Sequence, residues 1–199
     1  MKRIFVTLLF VSIGVCGYAT HGQAQTAAPP SAAPAMAPQA QAPGPTKDPV
    51  TASLRILLPR SRNNTLGAIT AMPADKFTYK PTPDQTTFAH LVAHIAGSNN
   101  FLCAKAADIS EPKVEEVKET DAKDKLLAAA TASFDFCADA LGKMDDSKLG
   151  DSVELFGGRR FPRAMAALGL ASGWADHYAA AAQYLRLNGI LPPSAQPKK

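Results

Sequence analysis

Phe88-Ala89-His90-Leu91-Val92-Ala93-His94-Ile95-Ala96-Gly97-Ser98-Asn99-Asn100-Phe101-Leu102 is the stretch that decides the fold. Phe88, Leu91, Val92, Ile95 and Leu102 recur at three- and four-residue spacing, which lays them along one face of an α-helix. Asp84, Thr86 and Thr87 each offer a side-chain oxygen to the unpaired N–H groups of a first turn. A helix is therefore predicted from near Thr86 to about Asp108. His90 and His94 lie four residues apart beside the apolar stripe, and Gly97 and Phe101 continue their line.

Three more segments carry helical periodicity. From Val50 to Met72, Leu54, Leu57, Leu58, Leu66 and Ile69 give an imperfect stripe. Pro59 predicts a kink or broken start there, because proline lacks an N–H and crowds the preceding turn. From Thr120 or Asp121 to about Lys143, the buried face is predicted to be Leu127, Ala130, Phe134, Cys137, Ala138 and Leu141. The last helix is expected to open at Pro162, a residue suited to a first turn, and to stop at Asn188-Gly189 before Pro192-Pro193. Between the third and last segments, Ser152 to Phe161 reads as a short β-hairpin turning at Gly157-Gly158. Four amphipathic helices without strong strand signal predict an all-α four-helix bundle over residues 50–194, followed by a disordered tail over 195–199.

Upstream of the bundle the composition changes. Met1-Lys2-Arg3 followed by the apolar run Ile4 to Val15 has the pattern of a signal peptide, with cleavage expected after Ala24. Residues 25–49 are rich in Ala and Pro and hold almost no large apolar side chain, so a disordered linker is expected. Export to the periplasm or beyond the cell follows from this reading. The net charge of the whole chain is +4, and cleavage removes Lys2 and Arg3, leaving +2. With no basic block and no basic-aromatic face, nucleic acid is an unfavourable partner. After cleavage no stretch remains that would span a membrane. Cys103 and Cys137 would also remain, either paired in an oxidising compartment or as two small buried residues.

The chemistry-bearing residues are few. His90 and His94 at i,i+4 can bind one divalent cation, and imidazole suits Zn or Ni. His177, on the last helix, is the one other histidine that survives cleavage and can supply a third ligand. The opposite reading is that such a pair is half-buried packing. Trp174, Tyr178 and Phe101 either line a pocket beside the histidines or pack in the core or an interface. Arg159, Arg160 and Arg163 read as a solvated surface cluster, paired with Asp145, Asp146 or Glu154. No residue can be assigned as a catalytic base, so the catalytic residues are unassigned.

Met72-Pro73-Ala74-Asp75-Lys76-Phe77-Thr78-Tyr79-Lys80-Pro81-Thr82-Pro83, the Phe88 to Ala96 segment, His177-Tyr178 and Tyr184 to Pro193 together resemble the DinB-like superfamily. The resemblance runs from about Val50 to Ser194. It implies a four-helix bundle, often a homodimer, with a divalent metal on one histidine of the second helix and two of the last. His94 matches the first of these and His177 the last, while the remaining position falls on Gly173, which has no side chain to ligate. Either His90 substitutes, or metal binding is weak or lost. Cys103 and Cys137 stand where exported relatives often carry cysteines, which implies a disulfide between the second and third helices. For function the resemblance implies a metal-dependent transferase, a hydrolase being the alternative chemistry. The competing expectation is a non-catalytic module that binds a small ligand or a partner and has lost the metal site.

Overall fold

The structure is a computed structural model that describes residues 44–197. The expected signal peptide and all but the end of the expected linker lie outside the described residues. Four helices form the body: α1 Pro49–Ala71, α2 Phe88–Ala107, α3 Lys123–Lys143 and α4 Ala164–Leu187. A two-stranded antiparallel sheet, β1 Ser152–Glu154 with β2 Arg160–Pro162, precedes α4 and registers Val153 opposite Phe161. Its turn holds Gly157 and Gly158 at φ 63° and 75°, a backbone region that only glycine enters freely. This is the four-helix bundle with a short hairpin that the periodicity predicts.

α1 and α2 each pack against both α3 and α4, so successive helices α1 and α2 stand at opposite corners. That diagonal explains the long connection from Met72 to Thr87. Inside it, Ala89 N–H donates to the Phe77 carbonyl at 2.9 Å, and the Tyr184 hydroxyl donates to the Thr86 carbonyl at 2.6 Å. Phe77 and Phe88 meet edge to face, with ring centroids 5.2 Å apart, at one end of the core.

Each helix end has a local cause. α2 opens on Thr87, whose hydroxyl accepts the His90 N–H at 2.9 Å. α1 has no cap from its own flank. Its first N–H groups go instead to Asp146, far along the chain: Val50 N–H reaches Oδ2 at 2.8 Å and Thr51 N–H reaches Oδ1 at 2.9 Å. Burial opposes ionisation of Asp146, but the Thr51 hydroxyl, which donates to Oδ1 at 2.6 Å, together with these backbone bonds outweighs it and holds the carboxyl below its ordinary value.

Four expectations need correction. α1 runs unbroken through Pro59, because Leu54, Leu58, Ala68 and Ile69, buried on either side of it, hold the helix in place. α3 begins at Lys123 and buries Leu126, Ser133 and Ala140 beside Ala130, Phe134, Cys137 and Leu141; Ala138 is exposed and Leu127 half-buried. Pro162 ends β2 rather than opening α4, since the following N–H groups of Arg163 and Ala164 bond back to Asp151 and Leu149. Arg163 is not solvated: it is only 7% exposed, and its guanidinium donates to the Lys105 carbonyl and, at 2.8 Å, to Asp108. Asp108 closes α2 in the left-handed conformation, so this arginine ties the start of α4 to the end of α2.

Cys103 and Cys137 form a disulfide between α2 and α3, with Cα atoms 5.3 Å apart. Among the described residues no helix is long and apolar enough to cross a membrane.

Candidate functional site

α2 turns its apolar stripe inward, which leaves His94 on the shoulder of the helix facing α4. From α4, His177 comes to the same seam. The two imidazoles meet edge to face, with centroids 5.0 Å apart and planes at 88°. His94 is exposed and His177 half-buried, so the pair sits at the mouth of the seam. His177 Nδ1 is buried with no hydrogen-bond partner among the described residues. Burial pushes the His177 imidazole below its ordinary pKa of 6.5, His94 adds to the shift and Asp176 opposes it. The ring is thus held neutral, the form in which a nitrogen lone pair is free.

Gly173 stands one turn before His177. A Cβ built there would lie 3.6 Å from His177 Cε1 and 3.9 Å from its Nδ1, ordinary contact distances. The position therefore has room for a side chain directed at the same ring, and the sequence leaves it bare.

His90 does not join the pair. Four residues of helix rotate it about 40° from His94, and its Nδ1 lies 3.6 Å from Glu119 Oε2. Glu119 also accepts the Thr87 hydroxyl at 2.9 Å, so His90 belongs to a polar group around the start of α2. Among the described residues no three His, Cys, Asp or Glu side chains are grouped to hold a metal ion. The seam thus carries two imidazole donors, one short of a three-ligand centre.

The aromatic candidates separate. Trp174 is buried in the core, and its indole N–H donates to Asn99 Oδ1 at 2.9 Å. The Asn99 amide in turn donates to Ser133 Oγ at 3.1 Å, and the Ser133 hydroxyl to the Ala130 carbonyl at 2.8 Å. This chain across α4, α2 and α3 satisfies groups that would otherwise be costly to bury. Tyr178 is half-buried against the core, and its hydroxyl donates to Ser194 Oγ at 2.7 Å and accepts the Ser194 N–H at 2.9 Å. Phe101 lies against Phe156 of the hairpin turn and under the Lys105 ammonium.

Sequence reading missed a cavity of about 590 Å³ between α2, α3 and the segment joining them. Its signal is the set of small residues Ala93, Ala96 and Gly97 on α2 facing Ala128, Ala129 and Ala132 on α3.

A four-helix bundle whose second and last helices bring one imidazole each to a shared seam defines the class. The chain belongs to the DinB superfamily, whose family model matches residues 57–180. The fold is similar to the crystal structure of a DinB-like protein from Bacillus subtilis, at 19% identity and a TM-score of 0.58, covering 73% of this chain and 99% of that one. A DinB-like protein from Bacillus cereus is similar at 14% identity and a TM-score of 0.58, covering 71% of this chain and 95% of the other. No curated protein matches the chain.

Proposed function

We propose that this chain is an exported DinB-superfamily bundle in which His94 and His177 anchor an exchangeable divalent cation, with the remaining coordination positions left to solvent or a small ligand. The observation that carries the reading is the buried, partnerless Nδ1 of His177 beside the His94 ring. A neutral imidazole in that setting is a competent ligand for Zn or Ni. Export is supported by the Cys103–Cys137 disulfide, since such bonds persist mainly in oxidising compartments. Two protein ligands hold a metal far less tightly than three or four, so the cation is exchangeable and the chain has no firm catalytic centre of its own.

Zn and Ni titration of the purified protein by calorimetry tests this. One-site binding that is lost in both His94→Ala and His177→Ala and kept in His90→Ala is expected. Absence of saturable binding, or loss in His90→Ala alone, refutes the anchor. A second reading, a binding module that has lost the metal site, is favoured by Gly173 and by the lack of a three-ligand group among the described residues. It predicts no metal uptake by the native chain.

A further inference from the structure

The cavity between α2 and α3 lies apart from the histidine seam and has a chemistry of its own. Ala93, Ala96 and Gly97 form one wall from α2, and Ala128, Ala129 and Ala132 form the other from α3. Small side chains at facing positions leave space that larger ones would have filled. A Cβ placed on Gly97 would meet nothing within 4 Å, so the backbone itself borders open volume. Phe136 adds an aromatic surface.

The polar groups of this cavity are mostly acceptors. Asn100 lines it, and Asn100 Oδ1 is buried without a partner among the described residues. Glu111, Glu115 and Glu116 line it from the connecting segment, all three solvent-exposed at its mouth. Lys125 is the cation among the lining residues, and it is engaged by Glu115 at 3.2 Å and Asp121 at 3.3 Å. Lys113 and Lys118 belong to the same segment but do not line the cavity. Glu111 and Glu116 form no ion pair among the described residues. The mouth therefore presents carboxylates that lack a cation, above an interior walled mainly by alanines and Phe136.

We propose that this cavity binds a small amphipathic amine. The apolar body packs between the alanine walls and against Phe136, and the ammonium faces Glu111 and Glu116. A volume of about 590 Å³ falls in the range of small-molecule sites. Complementary charge at the mouth selects the cation, because an anion there would face the two unpaired carboxylates of Glu111 and Glu116.

A matched series tests the assignment: tyramine, its uncharged counterpart 4-ethylphenol and its anionic counterpart 3-(4-hydroxyphenyl)propionate, each titrated into the purified protein by NMR. Tyramine is expected to bind saturably and at least about ten-fold more tightly than 4-ethylphenol, a ratio worth about 1.4 kcal/mol, with no saturable binding of the propionate. Glu111→Gln with Glu116→Gln, on the exposed mouth, is expected to erase the preference for the amine. Gly97→Leu, which fills the interior, is expected to remove binding of the whole series. Shifts should fall on Ala129 and Ala132 and spare the His94 and His177 rings, which separates this site from the histidine anchor. Equal binding of amine and phenol, an unchanged preference in the double glutamine variant, or no saturable binding of tyramine overturns the proposal.

Discussion

His94 of α2 and His177 of α4 stand edge to face across one seam of the bundle, 5.0 Å between ring centroids. The contact joins residues far apart in sequence, so its geometry reports helix packing rather than local conformation. It also sets what the site lacks: the next position on the α4 side, Gly173, presents a bare backbone to the His177 ring.

Restoring a side chain at that position is the most direct test. Gly173→His is expected to tighten Zn binding by at least about 100-fold, because a third imidazole converts an open pair into a protein-held set. Replacing glycine by histidine within the helix also relieves a propensity cost of roughly 0.3 kcal/mol, so the thermal midpoint should not fall. Calorimetric titration read beside a melting curve checks both. An unchanged affinity would mean that the seam does not direct position 173 toward the His94–His177 pair.

Opening the disulfide should weaken the bundle without changing its architecture. The bond closes a loop with a sequence separation of 34. Constraint of the unfolded chain by a loop of that length contributes about 3–4 kcal/mol. Urea unfolding of Cys103→Ala with Cys137→Ala should show that loss, with helical circular dichroism retained in the absence of denaturant. A midpoint equal to that of the oxidised chain would contradict the assignment.

Asn99 holds the buried polar chain together. Asn99→Ala strands the Trp174 indole N–H and takes away the donor to Ser133. A cost of about 2–4 kcal/mol is expected, from the orphaned donor and the space left behind. Trp174 fluorescence during chemical denaturation reads the midpoint directly, since the chain contains one tryptophan.

Acid stability has a localised contributor. The carboxyl of Asp146 is held below its ordinary value of 3.8, so the stability it provides is fully present above that pH and is lost as the pH falls through its lower folded value. Asp146→Asn is expected to cost about 1–2 kcal/mol at neutral pH, the scale of a lost helix cap. The variant should then lose less stability than the native chain between about pH 4 and pH 2. Parallel acid dependences in urea denaturation would assign that loss to other carboxylates.

Tyr178 gives a test of local order. Tyr178→Phe removes both hydrogen bonds that fasten Ser194. Amide exchange at Ser194 should accelerate by about ten-fold or more while the core helices keep their protection. Uniform acceleration across α4 would show that the hydroxyl supports the whole helix.

The fold was legible because its apolar spacing is local information. Phe88, Val92, Ile95 and Leu102 announce α2 without reference to any other segment, and Gly157-Gly158 mark the hairpin turn. What escaped depends on partners distant in sequence. Pro59 reads as a breaker until the buried neighbours on both sides are known. Arg163 reads as solvated until Asp108 and the Lys105 carbonyl close around it. Spacing placed His90 and His94 together correctly on one helix, but it could not reveal that Glu119 would engage the first while α4 met the second. The alanine-lined cavity was invisible for a related reason: small residues signal close approach and empty space alike.

The carboxylate that closes the first turn of α1 is supplied from beyond α3, and the link is returned: the backbone N–H of Asp146 donates to Asp48 at 3.2 Å. During synthesis that turn must wait for most of the polypeptide to emerge, so the earliest of the described helices is among the last to be secured. Tension drawn through Asp48 would likewise be delivered across the molecule to the far end of α3, making this junction the point where a pull on the bundle is first felt.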